Sequence, residues 1–141
     1  MSHTIATDIT WLNILVVEDE PQVMRTIREM LRDSGVTQSF SAKDGREALD
    51  FLRSYGETPD LVIADWNMPR MTGIELLTEV RTAGLDIAFL LLTGRADRES
   101  VIEAKQQGVS AYLKKPFSAE QLRTKLIILS KHIRSREPRV A

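Results

Sequence analysis

The sequence predicts a doubly wound α/β domain, a three-layer sandwich with a parallel sheet of about five strands between two layers of helices. Two observations carry that expectation. The runs Ile14-Leu15-Val16-Val17, Leu61-Val62-Ile63-Ala64 and Ile87 to Leu92 are apolar throughout rather than alternating, as strands covered on both faces must be. Between them lie segments whose apolar residues recur at helical spacing, so strand and helix alternate along the chain. A length of 141 residues suits one domain with its own core.

The elements follow in order. The first strand stops at Glu18-Asp19-Glu20-Pro21, and Val23, Ile27, Met30 and Leu31 then mark a helix that ends at Ser34-Gly35. Val36 to Ser41 is a weaker strand, since only Val36 and Phe40 are strongly apolar, and it suits a sheet edge. Asp44-Gly45 opens a helix carrying Ala48, Leu49 and Leu52, which ends near Tyr55-Gly56. The third strand runs into Asp65, and Met71-Thr72-Gly73 leads to a helix with Ile74, Leu77 and Val80 on one face. The fourth strand ends at Thr93-Gly94, and a helix from about Arg98 to Gln107 is stopped by Gly108. Ala111-Tyr112-Leu113 is the last strand, closed by Lys114-Lys115-Pro116. The final helix starts after Ser118 and carries Leu122, Leu126, Leu129 and Ile133. The expected organisation is a flexible extension over residues 1–12, the domain over 13–133, and a flexible basic tail over 134–141.

Composition excludes several functions. Lys+Arg of 19 against Asp+Glu of 20 gives a net charge of -1, so bulk attraction to nucleic acid is not expected. The absence of cysteine removes disulfides, thiolate metal sites and a cysteine nucleophile. Met1 to Thr10 has neither a basic region nor an apolar run of the secretory kind, and no segment approaches the ~20 apolar residues of a membrane span. A cytoplasmic protein without membrane insertion is the expectation.

In open parallel sheets, ligand sites gather at the carboxyl ends of the strands. Those ends carry Glu18 and Asp19 after the first strand, Asp65 after the third, Thr93 after the fourth and Lys115 after the fifth. Carboxylates brought within a few ångströms raise one another's pKa, and a hard divalent cation relieves the repulsion. Mg²⁺ takes one or two carboxylates plus water and phosphate oxygens, whereas zinc or copper would call for His or Cys. With a cation and Lys115 at hand the rim can hold a phosphoryl dianion. One carboxylate can then act as the nucleophile, with Thr93 and Lys115 on the equatorial oxygens.

Four motifs in order carry a family resemblance: Glu18-Asp19, the run Asp60-Leu-Val-Ile-Ala-Asp-Trp-Asn-Met-Pro-Arg-Met-Thr-Gly-Ile-Glu-Leu-Leu77, Leu91-Leu-Thr-Gly94 and Tyr112-Leu-Lys-Lys-Pro-Phe117. From Asn13 to Ile133 the chain resembles the response-regulator receiver domains of two-component signalling, with Asp65 to Leu77 especially similar to chemotaxis regulators of the CheY type. The resemblance implies a flavodoxin-like sheet and a phosphoacceptor switch rather than an enzyme acting on a separate substrate. It implies that Asp65 is the phosphoacceptor and that Glu18, Asp19, Asp65 and the Asn67 backbone carbonyl hold Mg²⁺. Thr93 and Lys115 then contact the phosphoryl group, Thr93 and Tyr112 switch together, and Lys115-Pro116 is cis. Asn67 and Arg95, two residues after Asp65 and Thr93, flank the path of the hydrolytic water and tune dephosphorylation. The implied partners are a sensor histidine kinase or phosphotransfer protein, and a target that reads the face of the fourth helix, last strand and last helix.

The chain departs from the family pattern at Glu18, where Asp is commoner, and at Gly94, where Ala is frequent. A nucleotide or flavin enzyme on the same fold would need a glycine-rich phosphate loop, and Glu18-Asp19-Glu20-Pro21 is the opposite of one. A stand-alone receiver is the expectation. A receiver cut from a larger regulator and a receiver-like module that no longer takes phosphate are the alternatives.

Overall fold

The structure, a computed structural model, describes residues 8–54, 58–94 and 98–136. Five strands, β1 (Asn13–Val17), β2 (Gln38–Ala42), β3 (Leu61–Asp65), β4 (Ala88–Thr93) and β5 (Ala111–Lys114), form one sheet in the order β2-β1-β3-β4-β5. Every pairing is parallel. Among the described residues five helices alternate with them: α1 (Pro21–Asp33), α2 (Gly45–Ser54), α3 (Gly73–Thr82), α4 (Arg98–Gln106) and α5 (Ala119–Arg136). The predicted doubly wound sandwich is the observed one, and its strand order places the topological switch between β1 and β3.

Successive strand residues feed two separate cores. Ile14, Val16, Leu61, Ile63, Leu90 and Leu92 face α1 and α5, where Ile27, Leu31, Leu122 and Leu126 meet them. Leu15, Val17, Val62, Ala64, Phe89 and Leu91 face the opposite way, onto Leu49, Leu77, Val80 and Ala104 of α2, α3 and α4. Wholly apolar strands are therefore the direct consequence of a sheet covered on both sides. At about 25 cal/mol per Å² of apolar area, burying side chains of this size stabilises by roughly 1.5–3 kcal/mol each.

Local chemistry sets the helix limits. Pro21 occupies the first turn of α1, where its missing N–H costs nothing. Its other end closes with Gly35 at φ 97, as the Gly35 and Val36 amides return to the Arg32 and Leu31 carbonyls. Thr72 and Glu75 form a reciprocal capping box at α3, and Ser118 and Gln121 exchange the same pair of bonds at α5.

The structure corrects three sequence expectations. The extension over residues 1–12 is not loose throughout, because Ile9 and Leu12 are buried in the core and Trp11 packs against it. The basic tail does not begin at residue 134, since α5 continues to Arg136 and the Arg134 guanidinium lies 4.3 Å from the Trp11 ring centroid. Strand β2 starts at Gln38, and Phe40 is 38% exposed on it with its ring 5.1 Å from that of Phe51. Val36 is buried but precedes the strand, spent on the helix stop.

Candidate functional site

Register decides which side chains meet. Val17 pairs with Ala64, so the next residue of each strand, Glu18 and Asp65, stand side by side at the carboxyl edge of the sheet. The Glu18 amide continues the ladder to the Ala42 carbonyl at 3.0 Å, and the Trp66 amide continues it to Leu92 at 2.8 Å. Across β4, Thr93 pairs with Lys114 and its carbonyl accepts the Lys115 amide at 2.7 Å. Lys115-Pro116 is the predicted cis bond.

The sheet thus brings Glu18, Asp19 and Asp65 together, each offering a carboxylate oxygen within 4.8 Å of the others. Lys115 Nζ reaches Asp65 Oδ2 at 3.0 Å and Glu18 Oε1 at 3.9 Å. The first is a charge-assisted hydrogen bond, while the second is too long for one. Glu18 and Asp65 are buried, at 2% and 7% exposure, and Thr93 is buried at 1%. Glu18 Oε2 accepts the Glu20 amide at 3.1 Å, but Oε1 is buried without any hydrogen-bond partner. Burial pushes the Glu18 carboxyl up to about 7; the Glu20 amide opposes that shift, the Asp65 charge adds to it, and Lys115 opposes it.

An orphaned buried carboxylate oxygen beside two further carboxylates is a site short of positive charge. The donor set is all oxygen, with no His or Cys among the three residues, which suits a hard cation such as Mg²⁺. The residues present fit such an ion.

The other predicted residues fall as follows. Asn67 is exposed, and its amide lies 3.4 Å from Asp65 Oδ1. Tyr112 is half-buried on β5, with the Lys125 ammonium 5.7 Å from its ring centroid. Arg95 lies outside the described residues. A cleft of about 460 Å³ lined by Pro59, Asp86, Ser110 and His132 lies at the amino ends of the strands, away from the acidic rim.

Two residues of the site escaped the sequence reading. A Cβ on Gly73 would lie 2.5 Å from the Asp65 carbonyl oxygen and 2.7 Å from Leu91 Cδ2. The signal was a glycine at the first position of a helix already capped by Thr72 and Glu75, where only a close approach requires one. Arg70 has φ 68, and nothing in its side chain announces a left-handed backbone.

A buried carboxylate pair held by one lysine at the switch point of a parallel sheet defines a class of α/β module built around an acidic pocket. The chain belongs to the response regulator receiver domain family, which it matches over residues 14–127. It is 42% identical over 117 residues to the chemotaxis protein CheY of Pseudomonas aeruginosa, covering 82% of this chain and 93% of that one. The CheY-3 chemotaxis protein of Vibrio cholerae is 41% identical over 117 residues, with 82% and 88% covered. Among solved structures, a receiver domain protein of Clostridium thermocellum superposes with a TM-score of 0.81 at 27% identity, covering 89% of this chain and 99% of that one. Vibrio cholerae CheY4 superposes with a TM-score of 0.77 at 32% identity, with 84% and 98% covered. The chain is a CheY-like receiver domain of a two-component response regulator. No helix among the described residues is long and apolar enough to cross a membrane.

Proposed function

We propose that the domain is switched by phosphorylation of Asp65, with Mg²⁺ as the cofactor. The observation that carries this reading is the orphaned Glu18 oxygen within a three-carboxylate cluster that also holds Lys115. An Asp65 carboxylate oxygen attacks the phosphorus of a phosphohistidine or acyl phosphate. The new O–P bond forms as the donor's N–P or O–P bond breaks, and the leaving group departs with that electron pair. A bound divalent cation supplies positive charge against the phosphoryl oxygens and the crowded carboxylates. Glu18, Asp19 and Asp65 would hold it, with the Asn67 carbonyl. Lys115, already 3.0 Å from Asp65, follows the charge onto the phosphoryl group, and the Thr93 hydroxyl donates to it.

Withdrawal of Thr93 toward the phosphoryl group opens space for Tyr112, and the α4–β5–α5 face changes in response. That face carries exposed Ile102 at 44% and Ile128 at 60%. It also carries a cleft of about 680 Å³ lined by Leu113, Gln121, Lys125 and Ile128. It suits a protein target, with a histidine kinase or phosphotransfer protein as the phosphodonor. From their sequence positions, two after Asp65 and two after Thr93, Asn67 and Arg95 are the residues expected to tune the lifetime, so Arg95→Ala should shorten it. Intact-mass measurement after treatment with acetyl phosphate tests the reading. One added phosphoryl group is expected, only with Mg²⁺ and not in Asp65→Asn; labelling of that variant, or labelling without a divalent cation, refutes it.

A further inference from the structure

Arg70 is the one non-glycine residue with positive φ among the described residues, at 68°. It forms the centre of a three-residue turn in which the Met71 amide donates to the Pro69 carbonyl at 2.7 Å. A γ-turn with positive φ is a strained form that glycine or asparagine adopts more cheaply than arginine. Strain of this kind, kept in a loop that begins at a functional aspartate, calls for a functional reason.

The loop that carries Arg70 starts and ends beside Asp65. Its two ends are pinned together, because the Gly73 amide donates to the Trp66 carbonyl at 2.9 Å and Gly73 abuts the Asp65 carbonyl. Between them Met68 is buried, and Met71 lies against Gly45 at the start of α2. Arg70 stands three residues before Gly73, so at about 3.3 Å per residue its backbone lies at most roughly 10 Å from the point where Gly73 abuts Asp65. Arg70 is exposed. The nearby rim carries three carboxylates, and the Lys115 charge is already committed to two of them. Without a cation the rim is net negative, and a bound Mg²⁺ only neutralises it, so the rim itself does not draw an anionic phosphodonor in from solvent.

We propose that Arg70 is an electrostatic guide for the phosphodonor, a cation held near the acidic rim by a strained turn so that a phosphoryl anion can approach Asp65. The inference rests on the reading of Asp65 as the phosphoacceptor. Coulomb's law in water gives roughly a fourfold effect on a dianion about 10 Å from one unit charge at low ionic strength, and roughly twofold on a monoanion. At 1 M salt the screening length falls to about 3 Å and the effect disappears.

The test compares wild-type protein, Arg70→Asn and Arg70→Lys in the rate of Asp65 phosphorylation at low and high salt. The probes are acetyl phosphate, a dianion near neutral pH, and phosphoramidate, a monoanion. Arg70→Asn is expected to be about fourfold slower with acetyl phosphate and about twofold slower with phosphoramidate at low salt. The two proteins converge at 1 M salt, and Arg70→Lys keeps the wild-type rate. Arg70→Asn also melts at a higher temperature than Arg70→Lys, because asparagine suits the turn. A role in folding alone would move the melting temperature and leave the salt dependence untouched. If Asp65 is labelled in Arg70→Asn at the wild-type rate and with the wild-type salt dependence, the guide is overturned while the acceptor stands. If wild-type Asp65 takes no label from either donor, the underlying reading falls and the guide with it.

Discussion

Replacing Gly73 with alanine probes the contact that fixes the acceptor's backbone. The added methyl would sit 2.5 Å from the Asp65 carbonyl oxygen and 2.7 Å from Leu91 Cδ2, well inside the ~3.5 Å at which nonbonded heavy atoms pack best. Neither neighbour yields easily. Asp65 is in β3 between two paired strands, and Leu91 is fully buried. Overpacking of this kind costs typically 1–3 kcal/mol, a fall in Tm of roughly 4–10 °C for a domain of this size. Gly94→Ala is the control: a Cβ there meets nothing within 4 Å. It should be neutral, or stabilising by up to about 1 kcal/mol through the unfolded chain. Thermal melts of both variants, with Mg²⁺ titrations on the folded protein, report stability and site geometry together. Gly73→Ala should melt lower and bind the ion more weakly, because the clash is taken up at Asp65. A Gly73→Ala variant that melts with the wild type refutes the contact, and equal losses in both variants would mean that glycine flexibility, not crowding, is at issue.

Other consequences concern charge and coupling. The Glu18 carboxyl is raised from 4.5 to about 7, so without divalent cation the folded state binds more protons than the unfolded state between those values. Its contribution is thus fully present below about pH 4.5 and lost as pH rises through 7, on the order of 3 kcal/mol; denaturant melts of Glu18→Gln should lack that slope. For the same reason Mg²⁺ binding should tighten as pH rises toward 7 and release protons, an effect that titration in buffers of different ionisation enthalpy detects. Trp66 adjoins Asp65 and is half-buried, so its emission should respond to Mg²⁺, and the Glu18→Ala/Asp19→Ala double variant should not respond. Trp11 donates to the Asp8 carbonyl at 3.1 Å just before β1, at the far end of the sheet, and supplies a constant background. Thr93→Ala should still accept phosphate yet lose most of the phosphorylation-dependent gain in target affinity; an undiminished gain would uncouple Thr93 from Tyr112.

The sheet was legible because burial on both faces leaves Ile14–Val17 of β1, and β3 and β4, without a polar residue until they end. The acidic rim was legible for the same reason, since Glu18 is the first residue after β1, and Asp65 and Thr93 are the last residues of β3 and β4. The edge strand was less so. β2 has one neighbour and partly exposed faces, and its pattern of Gln38-Ser39-Phe40-Ser41-Ala42 carries little apolar signal. Ile9 and Leu12 were hidden because single apolar residues three apart in a polar stretch resemble a tail. Only tertiary packing shows that they close the core beneath α1 and α5. Gly73 and Arg70 depend on distances and dihedrals that residue type alone does not specify.

The central claim is that Asp65 itself receives the phosphoryl group. Borohydride reduces an aspartyl phosphate to homoserine, so trapping the phosphorylated protein and mapping its peptides by mass reads out the acceptor directly. Homoserine at position 65 is predicted, dependent on both Mg²⁺ and phosphodonor and absent from untreated protein. Homoserine at position 19, or a phosphorylated protein in which residue 65 is recovered as aspartate, would contradict the account.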